Sequence, residues 1–562
     1  MPKLVLFAVL DHRTDFCRLR LDRCSNTVAV PISADGWTSV PDNWPSERIL
    51  SLNTLIDADT LRAEVEKRRT PIINQLFAHP DCPYYKVKQI VDTIIEKQVI
   101  VERLAVLSGN KIYVKQRGSW FAVDGDNSEN LRIASLLMDG LPGFVSVTSD
   151  RMWSMRYRCR LMSRWGRDML RASRVQVPIA PNSVLIGEMS YGSAGDFTGR
   201  SSYKINRGTV ILSLLWSFRL RDFFYVLTHD QPIKLRRTKA ERRHPMVPIL
   251  RTLLRRASRL NHIVRHLAYH WKGFPYYFTV NYGPMIDLAI ARAVRYAGVP
   301  IVTMQHACVG HDEWTASQYL DTWLSDIKVV TTAVVADELS DFETLPRHRY
   351  LVATLPIFRS RTVPKPWDGR VLIYTLTGFT RANTMYDNRR INDVLYLDAI
   401  DKDLAILCRH FDVILKPHPY DERQYNHSIA RWLSRRHSCR IEYQITEDMS
   451  GAVLIDSPST ILADTIRSGR IVFLINRTGK LRQRFCALAT SCGILFETAE
   501  ELTRHLNTFS LDALCKKQEY YREIFLRDYC GDVPSYGIFD VIDSWMRSLQ
   551  YDSRIMSFVT KS

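Results

Sequence analysis

The chain lacks most of the short motifs that announce a function. It has no Cys-x-x-Cys pair, no zinc-protease His-Glu-x-x-His run, no Gly-x-Gly-x-x-Gly dinucleotide fingerprint, and no repeat or low-complexity tract. Its eleven cysteines are scattered and odd in number, which speaks against a zinc ribbon or a disulfide framework and for reduced cytosolic thiols. No bound metal is expected. Long apolar runs are also missing: the most apolar stretch, Gly208 to Phe218, stops at Arg219, short of the roughly 18 to 20 residues needed to span a bilayer. No transmembrane anchor is expected. The run Leu4 to Leu10 is followed by Asp11 and Arg13 and lacks a small-residue cleavage site, so it reads as a first β-strand, not a signal peptide.

What is present describes a soluble globular protein. Of 562 residues, 46% are hydrophobic and 24% charged, which argues against disorder, collagen or an integral membrane bundle. The length predicts two to four domains, at roughly 100 to 200 residues each. Lys plus Arg number 77 against 59 Asp plus Glu, a net charge of +18, so an anionic partner is expected: nucleic acid, an acidic lipid surface or a phosphorylated substrate.

The hydrophobic pattern predicts helices from about 59 to 110 and a hairpin over 111–127. Strands follow at Ser183–Met189, Thr209–Leu215 and Tyr276–Asn281, then a helix over 284–298 and a strand over 299–305. Strand, helix and strand within about thirty residues form a βαβ unit, hence a parallel sheet whose ligand crevice lies at the carboxyl ends of its strands. A proline-rich stretch with Pro356, Pro364 and Pro366 reads as a linker, and a second alternating series begins at Arg370. The expected division is an N-terminal Rossmann-like domain (1–355) with basic helical insertions, a linker (356–368), a second Rossmann-like domain (369–515), and closing helices (516–562) packing back toward the first domain.

Chemistry concentrates in the second domain. Lys416 and His418, in Lys-Pro-His-Pro, follow the apolar run Asp412–Leu415, and Asp456-Ser-Pro-Ser-Thr460 follows Ala452–Ile455 and opens a helix. Both motifs should lie on one sheet edge. Free helix N-terminal amides, with the hydroxyls of Ser457, Ser459 and Thr460, suit a phosphate or diphosphate, and Lys416 adds positive charge. Flanking prolines hold His418 where an imidazole could donate to a departing phosphate. The plainer alternatives are helix caps at Asp456 or Ser459 and a loop histidine at 418.

In the first domain, His306, Asp312 and Glu313 follow a strand, and one of them could deprotonate an acceptor hydroxyl. His311 is five residues from His306, without metal-pair spacing. Glu188 and Asp196 are reserve candidates. Asp124 and Asp126 could hold a metal, but a turn at Asp-Gly explains them better. Two basic runs, Arg151–Arg174 and Lys234–Arg259, are helical in character. In the first, arginines alternate with Trp153, Tyr157, Leu161 and Trp165, a mix suited to an anionic membrane surface; no nucleic-acid motif accompanies it.

Residues 275–500 resemble bacterial GT-B glycosyltransferases of surface polysaccharide assembly, especially the sialyltransferase and Kdo-transferase group and the related CDP-glycerol glycerophosphotransferases. The resemblance rests on Lys416–Pro419, on Asp456–Thr460 with the residues through Gly479, and on Met304–His306. It implies a GT-B fold of two Rossmann-like domains facing across a cleft. It also implies His418 as acid or phosphate partner and Ser457, Ser459 and Thr460 as ligands of a CMP or CDP phosphate. Two features depart from the group: Glu313 is followed by Trp314 and His306 by Ala307, where glycine stands in the acidic and histidine motifs.

The expected function is metal-independent transfer of a Kdo- or sialic-acid-like sugar from a CMP-activated donor. No further cofactor is expected. The acceptor would be a lipid-linked or growing saccharide at the inner face of the cytoplasmic membrane, the basic helices meeting the anionic surface, with no nucleic acid. CDP-glycerol or CDP-ribitol phosphate transfer and UDP- or GDP-sugar transfer are the enzyme alternatives. A basic membrane- or nucleic-acid-binding adaptor is the non-enzyme alternative.

Overall fold

Short runs of consecutive apolar residues build both large sheets. Parallel strands covered on both faces need such runs in place of alternation. The computed structural model describes residues 6–10, 27–32, 34–41, 44–107, 111–116, 119–124, 184–187, 202–228, 246–280, 285–305, 322–341, 345–353, 366–376, 393–418, 423–446, 449–456, 460–477, 481–508, 510–531 and 538–559.

The N-terminal part contains strands β1 (Leu6–Leu10) and β2 (Thr27–Pro31), helices α1 (Ala58–Phe77) and α2 (Tyr84–Leu107), and strands β3 (Lys111–Gln116) and β4 (Ser119–Asp124). These strands form a four-stranded sheet ordered β2-β1-β3-β4, in which only β3 and β4 are antiparallel. The register pairs Gln116 with Ser119 and Lys111 with Asp124. Asp124 therefore ends a strand at the open end of the hairpin and is not in its turn, contrary to the Asp-Gly reading.

Next come β5 (Val184–Ile186), β6 (Ser202–Lys204), α3 (Arg207–Trp216), α4 (Leu220–Thr228), α5 (Met246–Arg265), β7 (Tyr277–Thr279), α6 (Met285–Tyr296), β8 (Ile301–Met304), β9 (Ile327–Val330), α7 (Ala333–Ser340) and β10 (Tyr350–Val352). The six strands form a parallel sheet, β10-β9-β8-β7-β5-β6. The strand expected at Thr209–Leu215 is helix α3. A seven-residue apolar run fits either element, and the residue before the helix decides it. Asn206 accepts from the Thr209 amide at 3.1 Å while the Thr209 hydroxyl faces the Asn206 amide at 3.4 Å, a reciprocal cap.

The last part contains β11 (Val371–Thr375), α8 (Asp393–Leu407), β12 (Asp412–Lys416), α9 (Arg423–His437), β13 (Arg440–Ile441), β14 (Ala452–Ile455), α10 (Thr460–Arg467), β15 (Val472–Ile475), α11 (Gln483–Ser491), β16 (Leu495–Phe496), α12 (Ala499–Thr508), α13 (Leu511–Phe525) and α14 (Ile538–Val559). Its parallel sheet is ordered β13-β12-β11-β14-β15-β16. The order reverses at β11, which makes the gap between β11 and β14 the switch point where a doubly wound sheet opens its crevice.

One hydrophobic cluster joins the two six-stranded sheets. It runs from Phe278, Val302 and Val329 through Tyr521, Phe525 and Tyr529 to Ile373, Val453 and Leu474. Phe539 of α14 meets Phe278 with ring centroids 5.7 Å apart. A π-turn, Leu526–Cys530, ends α13 against the first sheet, where the Thr331 hydroxyl donates to the Tyr529 carbonyl at 2.7 Å. Gly531 has φ of 71°, and a Cβ there would lie 2.9 Å from the Thr331 carbonyl oxygen. Only glycine suits that left-handed, crowded position.

Candidate active site

The register fixes how the two motifs of the second domain relate. Thr375, the last residue of β11, pairs with Lys416 on one side and with Ile455 on the other. Three strands thus end level. At about 4.8 Å per strand spacing, the backbones of Lys416 and Ile455 stand roughly 10 Å apart across the switch point. His418 follows the buried Pro417 and is half-buried.

Burial of Lys416 lowers its pKa, and the Asp464 carboxylate on α10 acts against that shift. The end of β12 therefore lies within electrostatic reach of the helix that opens after β14. A lysine held in this way is disposed to an incoming anion, because added negative charge favours its protonated form.

Beneath this edge lies a buried polar network that carries no sequence motif. Asp456, 1% exposed, accepts a hydrogen bond from the Tyr396 hydroxyl near the start of α8. Its carbonyl accepts from the Arg477 amide at 2.9 Å. Two bonds thus hold the first residue of the Asp-Ser-Pro-Ser-Thr stretch, one at its side chain and one at its backbone carbonyl. The Arg477 guanidinium pairs with Asp403, Nε lying 3.0 Å from Oδ2, and the Tyr374 hydroxyl donates to the same carboxylate at 3.1 Å. Burial drives the Tyr374 pKa well above its ordinary value. It also raises that of Asp403, against the pull of the Arg477 charge and hydrogen bonds.

The network borders a cavity of about 410 Å³ whose lining includes Arg62, Tyr396, Lys402, Asp403, Arg477 and Glu500. Arg62 comes from α1, so the N-terminal part closes one wall. Asn53 in the same wall donates to Asp398 of α8. The one available sequence signal was Arg477, a charge two residues past the fully buried strand β15.

In the first domain, Gln305 ends the segment leading to His306. Its side-chain carbonyl accepts from the Thr331 amide at 3.0 Å, so the approach to His306 is anchored to the neighbouring strand. Gly187 follows β5, and a Cβ there would come within 2.2 Å of the Tyr277 hydroxyl oxygen, so close approach requires glycine.

His306, His311, Asp312, Glu313, Glu188, Asp196, Asp126, Ser457 and Ser459 lie outside the described residues, as do Arg151–Arg174 and residues 356–365 of the expected linker. Thr460 opens α10; its side chain is not among those described. Of the second basic run, the described part belongs to α5. That helix buries Ile249, Leu250, Leu253, Leu260 and Ile263 in the core, so its apolar stripe does not face lipid. Arg251, Arg255 and Arg259 lie exposed on its outer face. Among the described residues, no group of three His, Cys, Asp or Glu side chains could hold a metal, no disulfide joins the cysteines, and no helix is long and apolar enough to cross a membrane.

No protein-family model and no curated protein matches the chain. Solved structures that resemble it include a glycosyltransferase from Rickettsia africae, at 10% identity over 62% of this chain and 95% of that one, with a TM-score of 0.30. Another is the wall teichoic acid polymerase TagF, at 12% identity over 72% of this chain and 100% of that one, with a TM-score of 0.33. A third is a protein assigned as a UDP-N-acetylglucosamine 2-epimerase from Listeria monocytogenes, at 10% identity over 63% and 100%, with a TM-score of 0.31. These are similarities of low order and include a non-transferase. What the chain itself holds is a pair of six-stranded, doubly wound parallel sheets, the layout of a GT-B fold.

Proposed function

We propose that the chain is a GT-B glycosyltransferase moving a sugar from a nucleotide-activated donor, CMP-linked in the form closest to the sequence motifs, onto a lipid-linked or growing surface saccharide. The observation that carries this reading is the level ending of β12, β11 and β14. In this reading Lys416–His418 and the start of α10 flank one crevice at that edge, where a ligand's phosphate would meet a lysine, an imidazole and a helix N-terminus.

In this reading the leaving phosphate gains negative charge as the glycosidic bond breaks. The Lys416 ammonium and the first amides of α10, with the hydroxyls of Ser457, Ser459 and Thr460, take up that charge without a metal ion. His418 donates a proton or hydrogen bond to the same phosphate. A base on the first domain, chosen among His306, Asp312 and Glu313, removes the proton from the acceptor hydroxyl. Closure of the two domains keeps water from hydrolysing the donor. The reaction is placed at the inner face of the cytoplasmic membrane, where a lipid-linked acceptor would be met.

The test is a donor panel of CMP-Kdo, CMP-sialic acid, CDP-glycerol, UDP-sugars and GDP-sugars, read by nucleotide release. Release from a CMP-sugar supports the reading. Release from CDP-glycerol alone reassigns the chain to phosphate transfer in the same crevice, and release from none of them removes the transferase.

A further inference from the structure

We propose that the turn between α3 and α4, with the outer face of α5, is a docking surface for an anionic lipid bilayer. Four large apolar side chains stand in solvent within nine residues: Trp216 is 70% exposed, Phe218 88%, Leu220 51% and Phe224 58%. Single exposed apolar residues need no explanation, but a cluster of this kind on a chain with net charge +18 does.

The backbone adds an independent observation. Helix α3 ends with the Phe218 amide donating to the Leu215 carbonyl at 3.0 Å and the Arg219 amide to the Leu214 carbonyl at 3.0 Å. That pattern places Phe218 at the position after the cap where glycine is usual, and Phe218 has φ of 54°. The left-handed backbone closes the helix, but glycine would do so without strain, and the ring, 88% exposed, packs into no core. The ring serves a surface that receives it.

Charge selects the receiving surface. Arg219, Arg221 and Arg259 line an open groove of about 690 Å³ beside Phe218 and Leu220. Arg259 ends the exposed stripe of α5 arginines and stacks over Tyr225 at 4.0 Å. Asp222 offsets one charge through its 2.6 Å pair with Arg219. Apolar tips flanked by guanidinium groups match the interface of an anionic bilayer, where rings enter the acyl boundary and arginines meet lipid phosphates. This surface is distinct from the run Arg151–Arg174, where the sequence placed the mix suited to a membrane; it lies at the turn beside α5, whose own apolar stripe is used by the core.

The proposal goes beyond the transferase reading, and its test uses no donor or acceptor, so either can fail alone. The full chain is sedimented with vesicles of phosphatidylcholine alone and with vesicles rich in phosphatidylglycerol, and its melting temperature is measured alongside. The wild-type chain should bind the anionic vesicles and lose binding as salt rises. Phe218→Gly should weaken that binding about tenfold or more, with an unchanged or slightly raised melting temperature because the backbone strain is relieved. Arg221→Glu should weaken it by about tenfold. Absence of wild-type binding, or binding undiminished in Phe218→Gly, overturns the proposal. So does concentration-dependent self-association that Phe218→Gly abolishes in a chain that ignores vesicles, since the occupant is then a second copy.

Discussion

The Tyr396 hydroxyl donates to the Asp456 carboxylate, tying the start of α8 to the residue that precedes the Ser-Pro-Ser-Thr turn. Tyr396 also lines the cavity between the N-terminal part and the last domain. It is a positioning residue, acting on the proposed phosphate turn through Asp456. Tyr396→Phe leaves a buried carboxylate short of one donor, at about 1–3 kcal/mol. The expected kinetic result is a several-fold higher KM for the donor with a smaller change in kcat. A lowered melting temperature with an unchanged KM would make the contact structural only.

Arg477 and Asp403 give a second, purely energetic prediction. Asp403 is 2% exposed, so Arg477→Met strands its carboxylate and should cost about 3–5 kcal/mol. Adding Asp403→Leu removes the stranded charge and should restore much of that loss. Thermal melts of the two single variants and the double variant close the cycle; strictly additive losses would show that the pair is not coupled.

Part of this was legible in the sequence. The strand-to-turn transitions at Lys416 and Asp456 stand out because parallel strands are short unbroken apolar runs that stop abruptly at polar residues. The level ending of β12, β11 and β14 follows from the same pattern once the strand order is known. Helix α3 was misread because Thr209–Leu215 is too short for its period to choose, and its cap at Asn206 carried the decision. Beyond the charge of Arg477 after β15, the Tyr374, Tyr396, Asp403 and Arg477 network left no sequence signal, because it joins β11, α8 and the end of β15, whose spacing in the chain has no periodicity to detect.

The contact between the first domain and the C-terminal segment should respond to pH. Glu338 of α7 accepts from the Tyr529 hydroxyl at 3.2 Å and lies 3.9 Å from Arg482. Burial pushes its carboxyl up to about 7 from an ordinary 4.5, with Arg482 and Tyr529 opposing. An acid with a raised folded pKa favours the protonated native state. Its contribution is complete below about pH 4.5 and is lost as pH rises through about 7. Glu338→Gln should therefore melt higher than the wild type at pH 8, by on the order of 1–2 kcal/mol after allowance for solvent screening. The two should converge near pH 5. A constant difference across this range would contradict the assignment.

Metal removal tests how the leaving phosphate is neutralised. If Lys416 and the α10 amides supply the charge, turnover in excess EDTA should stay within about twofold of that in magnesium or manganese. Complete dependence on either ion would require a different site.

The most direct test of the donor crevice is the rate of nucleotide release from the preferred donor by His418→Ala, compared with wild type at matched melting temperature. The expected result is a kcat lower by about 100-fold or more with the fold intact, the range for a lost proton donor. Turnover within about twofold of wild type in a folded His418→Ala chain would contradict the placement of donor chemistry at the carboxyl edge of β12.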